Sequence, residues 1–351
     1  MIFAEINNTG MAEFIFNPND PALADTGLFG LPFDAEQSEI VIIPVPWELT
    51  TSYNRGTFHG PENVFEGSYQ VDLCNHDYPD LWKKGIWLDE FPKELIDLHE
   101  ALNEKSLILI DDAANEDTGK TEEELQSFRD EIESAFNIMY KWVKDRVSYW
   151  KSKGKKVGLL GGDHSIPLSY HQYFHDNHIN YGILHVDAHC DLRNSFEGFK
   201  YSHASIFYNV MQFDNVKKLV QVGIRDYCHE EKDFVKQSDG RIKVFYDREY
   251  RKRLFEGDNW KTICEEIIYE LPDNVYVSID IDGLDPKLCP NTGTPVPGGM
   301  DFEEFIYLLN KLKQSGKNII GFDLCEVANG DNEFNGNVGA RVLYQLCGTI
   351  N

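Results

Sequence analysis

Gly182-Ile183-Leu184-His185-Val186-Asp187-Ala188-His189-Cys190-Asp191 is an apolar run that ends in a carboxylate, an imidazole and a second carboxylate spaced two apart. In an extended segment, residues i, i+2 and i+4 point to one side, so Asp187, His189 and Asp191 aim into one space. Two further stretches share this build. Val157 to Leu160 leads into Gly161-Gly162-Asp163-His164-Ser165, and Val275-Tyr276-Val277-Ser278-Ile279 leads into Asp280-Ile281-Asp282. Runs that are apolar throughout suit parallel strands covered on both faces. The charged ends then lie where open α/β sheets bind their ligands, beyond the carboxyl ends of the strands.

Outward from these stretches, similar runs occur at Ile40 to Val45, Tyr181 to Val186, Leu219 to Val222, Val244 to Tyr246 and Ile319 to Leu324, with a weaker one at Leu107 to Ile110. Helical spacing of Leu125, Phe128, Ile132, Phe136 and Met139 marks a long helix from Thr121 to about Lys153. Shorter helices are expected at Trp260 to Leu271 and Phe302 to Gln314, and a last one over 339–349. Asp111 to Glu123 is acidic and reads as a loop. The alternation predicts a three-layer α/β/α fold around a mostly parallel sheet of about eight strands. Residues 1–37, rich in Asn, Asp, Pro and Gly around a short Phe14-Ile15-Phe16 run, read as an extended leader, and 38–351 as a single catalytic domain.

The 351 residues are 42% hydrophobic and carry a formal net charge of -26. That sign argues against nucleic acid and anionic membrane partners and favours cationic ligands. The seven cysteines form no CxxC pair, which fits reduced thiols and a cytoplasmic location better than a disulfide framework. No basic flank with an apolar run marks a signal peptide, and no apolar stretch reaches membrane-spanning length.

Buried charges at this density are strongly unfavourable unless compensated, ordinarily by metal. His164, Asp187, His189, Asp191, Asp280 and Asp282 supply ligands for two divalent ions. Such a pair lowers the pKa of a shared water from about 15.7 towards about 7, the hallmark of a two-metal hydrolase. Asp285, before Pro286, reads as a turn residue, and Cys190 points to the opposite strand face and packs.

The segments GGDHS at 161–165, DAHCD at 187–191 and SIDIDGLDP at 278–286 resemble those of the ureohydrolases: arginase, agmatinase, formimidoylglutamase and guanidino-acid hydrolases. Thr51-Ser52-Tyr53 with Gly56 and Gly60-Pro61, and Gly293 to Gly299, extend the likeness from about residue 40 to the end. The resemblance implies that His164, Asp187, Asp191 and Asp280 hold one ion, and Asp187, His189, Asp280 and Asp282 the other. Manganese is the family's usual metal, and nickel suits the same donors. It further implies that Asp191 orients the attacking water, Glu326 receives the substrate guanidinium and His203 carries a proton to the departing amine. Ala204 stands where the family often has glycine, and Phe65 where it often has arginine.

Arginases carry asparagine two residues after the last aspartate of the DAHCD-type motif; here that position is Arg193. The expected substrate is therefore agmatine, hydrolysed to putrescine and urea. Arg193 would suit a guanidino acid such as 4-guanidinobutyrate, while Trp47 and Tyr53 would narrow the pocket towards free guanidine. A zinc-dependent deacetylase on a related fold is the alternative from another class. The resemblance also implies a homo-oligomer, trimer or hexamer, which the leader could help assemble.

Overall fold

The computed structural model describes residues 16–23, 26–330 and 333–350. Eight parallel strands form one sheet: β1 Ile40–Val45, β2 Ile86–Leu88, β3 Lys156–Gly161, β4 Tyr181–Val186, β5 Val216–Ile224, β6 Ile242–Tyr246, β7 Asn274–Asp280 and β8 Asn318–Cys325. Their order is β2-β1-β3-β8-β7-β4-β5-β6. Alternate residues of one strand enter different cores. Ile40 and Ile42 join one apolar cluster with Val277, Phe305 and Leu343, while Val41 and Ile43 join another with Phe136, Met139 and Phe174. Helices therefore cover both faces, giving the expected three layers and explaining why the strands are apolar without alternation.

The helices are α1 Gly60–Ser68, α2 Lys93–Ala113, α3 Glu122–Ser152, α4 Leu168–Asp176, α5 Ile206–Val210, α6 His229–Gln237, α7 Asp247–Phe255, α8 Trp260–Tyr269, α9 Phe302–Gln314 and α10 Phe334–Ile350. Thr121 caps α3: its hydroxyl accepts from the Glu124 amide, and the Glu124 carboxylate accepts from the Thr121 amide, a reciprocal closure readable in sequence. Asp301 and Glu304 do the same for α9. The expected strand at Leu107 to Ile110 is instead the last turns of α2. Leu95, Leu102 and Leu109 are all buried, seven apart on one helical stripe, so the apolar quartet is one turn of a helix face. Consequently, the loop expected from Asp111 begins only after Ala113. Among residues 16–37, Leu28, Phe29 and Leu31 are buried, and the Phe29 ring meets Tyr344 at 4.9 Å. Phe14 and Ile15 lie outside the described residues. Among the described residues, no helix is long and apolar enough to cross a membrane.

Candidate metal centre and active site

Four neighbouring strands at the middle of the sheet, β3, β8, β7 and β4, end in the charged motifs. After β3 the chain turns sharply beneath the loop that follows β1. A Cβ on Gly162 would lie 2.1 Å from the Trp47 carbonyl oxygen, so only glycine permits this approach. The turn delivers His164, fully buried, among three carboxylates: its Nδ1 is 3.2 Å from Asp187 Oδ2, 3.3 Å from Asp191 Oδ2 and 3.4 Å from Asp280 Oδ2. None of these contacts has hydrogen-bond direction, and Nδ1 remains without a partner. The far side of the ring is fixed by Ser278 Oγ, 3.0 Å from Nε2, and that hydroxyl donates to Asp323 at 3.0 Å. His189 lies beside it, its Nδ1 3.0 Å from Asp282 Oδ2 and 3.4 Å from Asp187 Oδ1. All six expected ligands converge.

Their electrostatics are those of a site built for cations. Burial pushes the Asp280 carboxyl well above its ordinary range, and the neighbouring charges of Asp282 and Asp187 add to this. Asp191 is pushed up to about 7 by burial and then by Asp187. Burial opposes ionisation of Asp187 too, yet His185, His164 and His189 hold it well below the usual carboxylate range. Among the described residues three groups have donor atoms within 4.8 Å of one another: His164, His185, Asp187 and Asp191; Asp187, His189 and Asp282; and, behind the His164 ring, His164, Asp323 and Cys325. Carboxylate oxygens and imidazole nitrogens, buried and with an orphaned ring nitrogen among them, are a chemistry that fits a pair of divalent cations.

Two residues here take left-handed backbone, Asp191 at φ 54° and Glu326 at φ 65°, an uncommon choice outside glycine that aims side chains sharply. Glu326 follows β8. Its Oε1 accepts the His164 amide at 2.8 Å, while Oε2 is buried without a partner. Burial, then the charges of Asp280 and Asp163, raise its pKa well above the ordinary value. A Cβ on Gly293 would come within 3.1 Å of Oε2, so that glycine keeps open the space before the oxygen. His203 sits across the site with Nδ1 3.0 Å from Thr50 Oγ1, and burial, then the His189 and His164 charges, lower it to about 3.

The stretches flanking the motifs meet: the Asn54 amide donates to the Gly293 carbonyl at 3.2 Å, and its side chain to the Asn291 and Thr292 carbonyls. The expected pocket residues are placed differently from one another. Trp47 turns its ring into the core against Phe136 and His99, fully buried, and meets the site only through its backbone. Tyr53 is 77% exposed. Arg193 lies over the Phe196 ring at 5.0 Å, and no carboxylate among the described residues is within ion-pair distance of it. Nearby Glu197 has an oxygen buried without a partner. Cys190 is buried in the core and Asp285 closes a turn on the Lys287 amide, as expected of both.

Sequence reasoning missed His185, whose Nε2 donates to Asp187 Oδ2 at 2.8 Å while Nδ1 accepts from Gln221. The signal was present: His185, Asp187, His189 and Asp191 form one continuous two-residue spacing. Ser278, Asp323 and Thr50 gave none, since each matters only through a partner far away in sequence.

A sequence profile described as the arginase family matches residues 38–348. An N(1)-aminopropylagmatine ureohydrolase of Synechocystis sp. is 30% identical over 82% of this chain and 81% of its own. An agmatinase of Pyrococcus horikoshii is 27% identical, covering 90% of this chain and 93% of that one. Among solved structures, the agmatine ureohydrolase of Thermoplasma volcanium superposes with a TM-score of 0.66 at 21% identity, over 93% of this chain and 95% of that one.

Proposed function

This chain belongs to the arginase family and is a ureohydrolase of a small guanidino compound, and from that premise we propose that its substrate is agmatine or a close derivative with a cationic tail. The relatives named for agmatine and aminopropylagmatine support this reading. The observation that carries it is Glu326 Oε2, a buried carboxylate oxygen without a partner. Such a group is costly until a cation reaches it, and a planar guanidinium is the cation whose fork matches a carboxylate.

In this reading His164, Asp187, Asp191 and Asp280 hold one divalent ion and Asp187, His189, Asp280 and Asp282 the other. Manganese is preferred and nickel is compatible with the donors. Bound ions supply an acidified water and neutralise the carboxylates. The protein's own groups do the rest. Glu326 fixes the guanidinium plane. Asp191 accepts the hydrogen of the attacking water and so orients it. As the oxygen adds to the guanidinium carbon and the carbon–nitrogen bond breaks, the departing amine needs a proton. His203, neutral at rest, takes one from solvent and passes it on, offsetting the proton that the water gives up on Asp191's side. Residues 38–351 work as one catalytic domain, in the cytoplasm and as a trimer or hexamer.

A second reading rests on Arg193, whose guanidinium is in no close ion pair among the described residues, although its charge reaches Glu197, and suits the acid group of a guanidino acid. Initial rates with metal-loaded protein on agmatine, aminopropylagmatine, arginine, 4-guanidinobutyrate and guanidine decide between them. Agmatine or its aminopropyl derivative should give the highest kcat/KM. A preference for guanidinobutyrate that Arg193→Ala abolishes establishes the second reading, and arginine as the best substrate refutes both.

A further inference from the structure

Thr50 lies on the loop after β1, and among the described residues its hydroxyl links His203 to a buried carboxylate. Thr50 Oγ1 is 3.0 Å from His203 Nδ1 and 3.4 Å from Asp163 Oδ2, and it also accepts the backbone amide of His203 at 3.2 Å. Thr50 and Asp163 are wholly buried, so no solvent stands in for either partner. A hydroxyl has one hydrogen and two lone pairs. The lone pair used for the His203 amide turns the acceptor side of Thr50 towards residue 203. Asp163 is otherwise surrounded by donors: its Oδ1 takes both the amide and the hydroxyl of Ser165. Two acceptors lie within reach of the Thr50 hydrogen, His203 Nδ1 and Asp163 Oδ2, and the carboxylate is the stronger of the two.

From this geometry we infer that Thr50 is a positioning residue: it donates to Asp163, accepts from His203 Nδ1–H, and so fixes the tautomer in which His203 Nε2 is the free, proton-accepting nitrogen. No group among the described residues hydrogen-bonds that nitrogen. Ser202 Oγ, at 3.5 Å from Nδ1, is taken up by the Ala204 amide at 3.2 Å and is too far to replace Thr50. The consequence is chemical: a ring whose Nδ1–H is anchored to a buried acceptor can gain and release a proton only at Nε2, without rotating between cycles.

The inference rests on His203 being the proton carrier, and its test separates the two. Thr50→Val, Thr50→Ser and His203→Gln are each loaded with metal and assayed with the best guanidino substrate. Thr50→Val should lower kcat about 10- to 100-fold, less than the roughly 10²- to 10⁴-fold worth of the acid–base group it positions, leave KM within about twofold, and shift the acidic limb of the kcat–pH profile; Thr50→Ser should restore kcat to within about threefold of the parent. If His203→Gln lowers kcat but Thr50→Val does not, or serine fails to rescue, Thr50 has no such role. If His203→Gln leaves kcat unchanged, the carrier assignment itself fails. Should the valine variant not fold, ¹⁵N-histidine NMR of the unaltered protein, with the His203 signal assigned by its absence from His203→Gln, reads the tautomer directly. A proton on Nδ1 supports the inference, and a proton on Nε2 overturns it.

Discussion

At Asp191 the backbone itself makes a clean experiment possible. Its φ of 54° lies in the left-handed region, which asparagine tolerates better than most residues. Asp191→Asn should therefore keep the fold, with a melting temperature close to the parent's, while turnover falls about 10²- to 10⁴-fold, as expected when a positioned base is lost. Glu326→Gln keeps the shape and the acceptor for the His164 amide but removes the charge that the proposed reading sets against the guanidinium. Its kcat/KM should fall about 10- to 100-fold, the worth of a charged hydrogen bond of about 1.5–3 kcal/mol, and a smaller loss would place the guanidinium elsewhere. Gly293→Val tests the same pocket sterically. The new side chain occupies the space 3.1 Å from Glu326 Oε2 and 3.2 Å from Thr51 Cγ2, so KM should rise while metal content, read by elemental analysis, stays unchanged.

Among the elements, the strands carrying the site were the most legible, because two-sided burial imposes an uninterrupted apolar run that ends abruptly in charge. The edge strand β2 was not: Ile86-Trp87-Leu88 is three residues long and pairs on one side only, too short to stand out. α2 misled for the opposite reason, its buried residues being spread from Leu95 to Ile110, about four turns, with one turn dense enough to mimic a strand. The convergence of the six candidate donors was readable because each motif is local in sequence. The pairings of His164 with Ser278, and of Thr50 with His203, are not local. Helix α2 also carries a pH-dependent contribution to stability. Burial lowers the His99 pKa to about 4, and its Nε2 is 3.1 Å from the Glu48 carbonyl. The folded value lies below the unfolded one of about 6.5, so the unfolded chain binds the proton first. Stability is complete above about pH 6.5 and falls as the pH drops towards 4, by about 3 kcal/mol at most. Urea midpoints measured between pH 7.5 and 4.5 should show this slope reduced in His99→Gln.

For the whole molecule, a net charge of -26 predicts electrostatic steering of a cationic substrate. The kcat/KM for agmatine should fall as salt rises from about 0.01 to 0.15 M, where the screening length shrinks from about 30 to 8 Å, whereas that for an uncharged guanidine derivative should not. Exhaustive chelation should abolish turnover and lower the melting temperature, with both recovered on adding manganese; full activity after metal removal, verified by elemental analysis, would end the two-ion reading. The strand order has its own consequence for biosynthesis. β8, eighth in chain order, sits between β3 and β7. Until it arrives, β1–β3 and β4–β7 are two separate half-sheets, each with an unpaired inner edge open to other nascent chains. A truncation before Asn318 should thus yield insoluble material and not a shortened enzyme, and the stretch that begins at Asn318 is what seals the sheet.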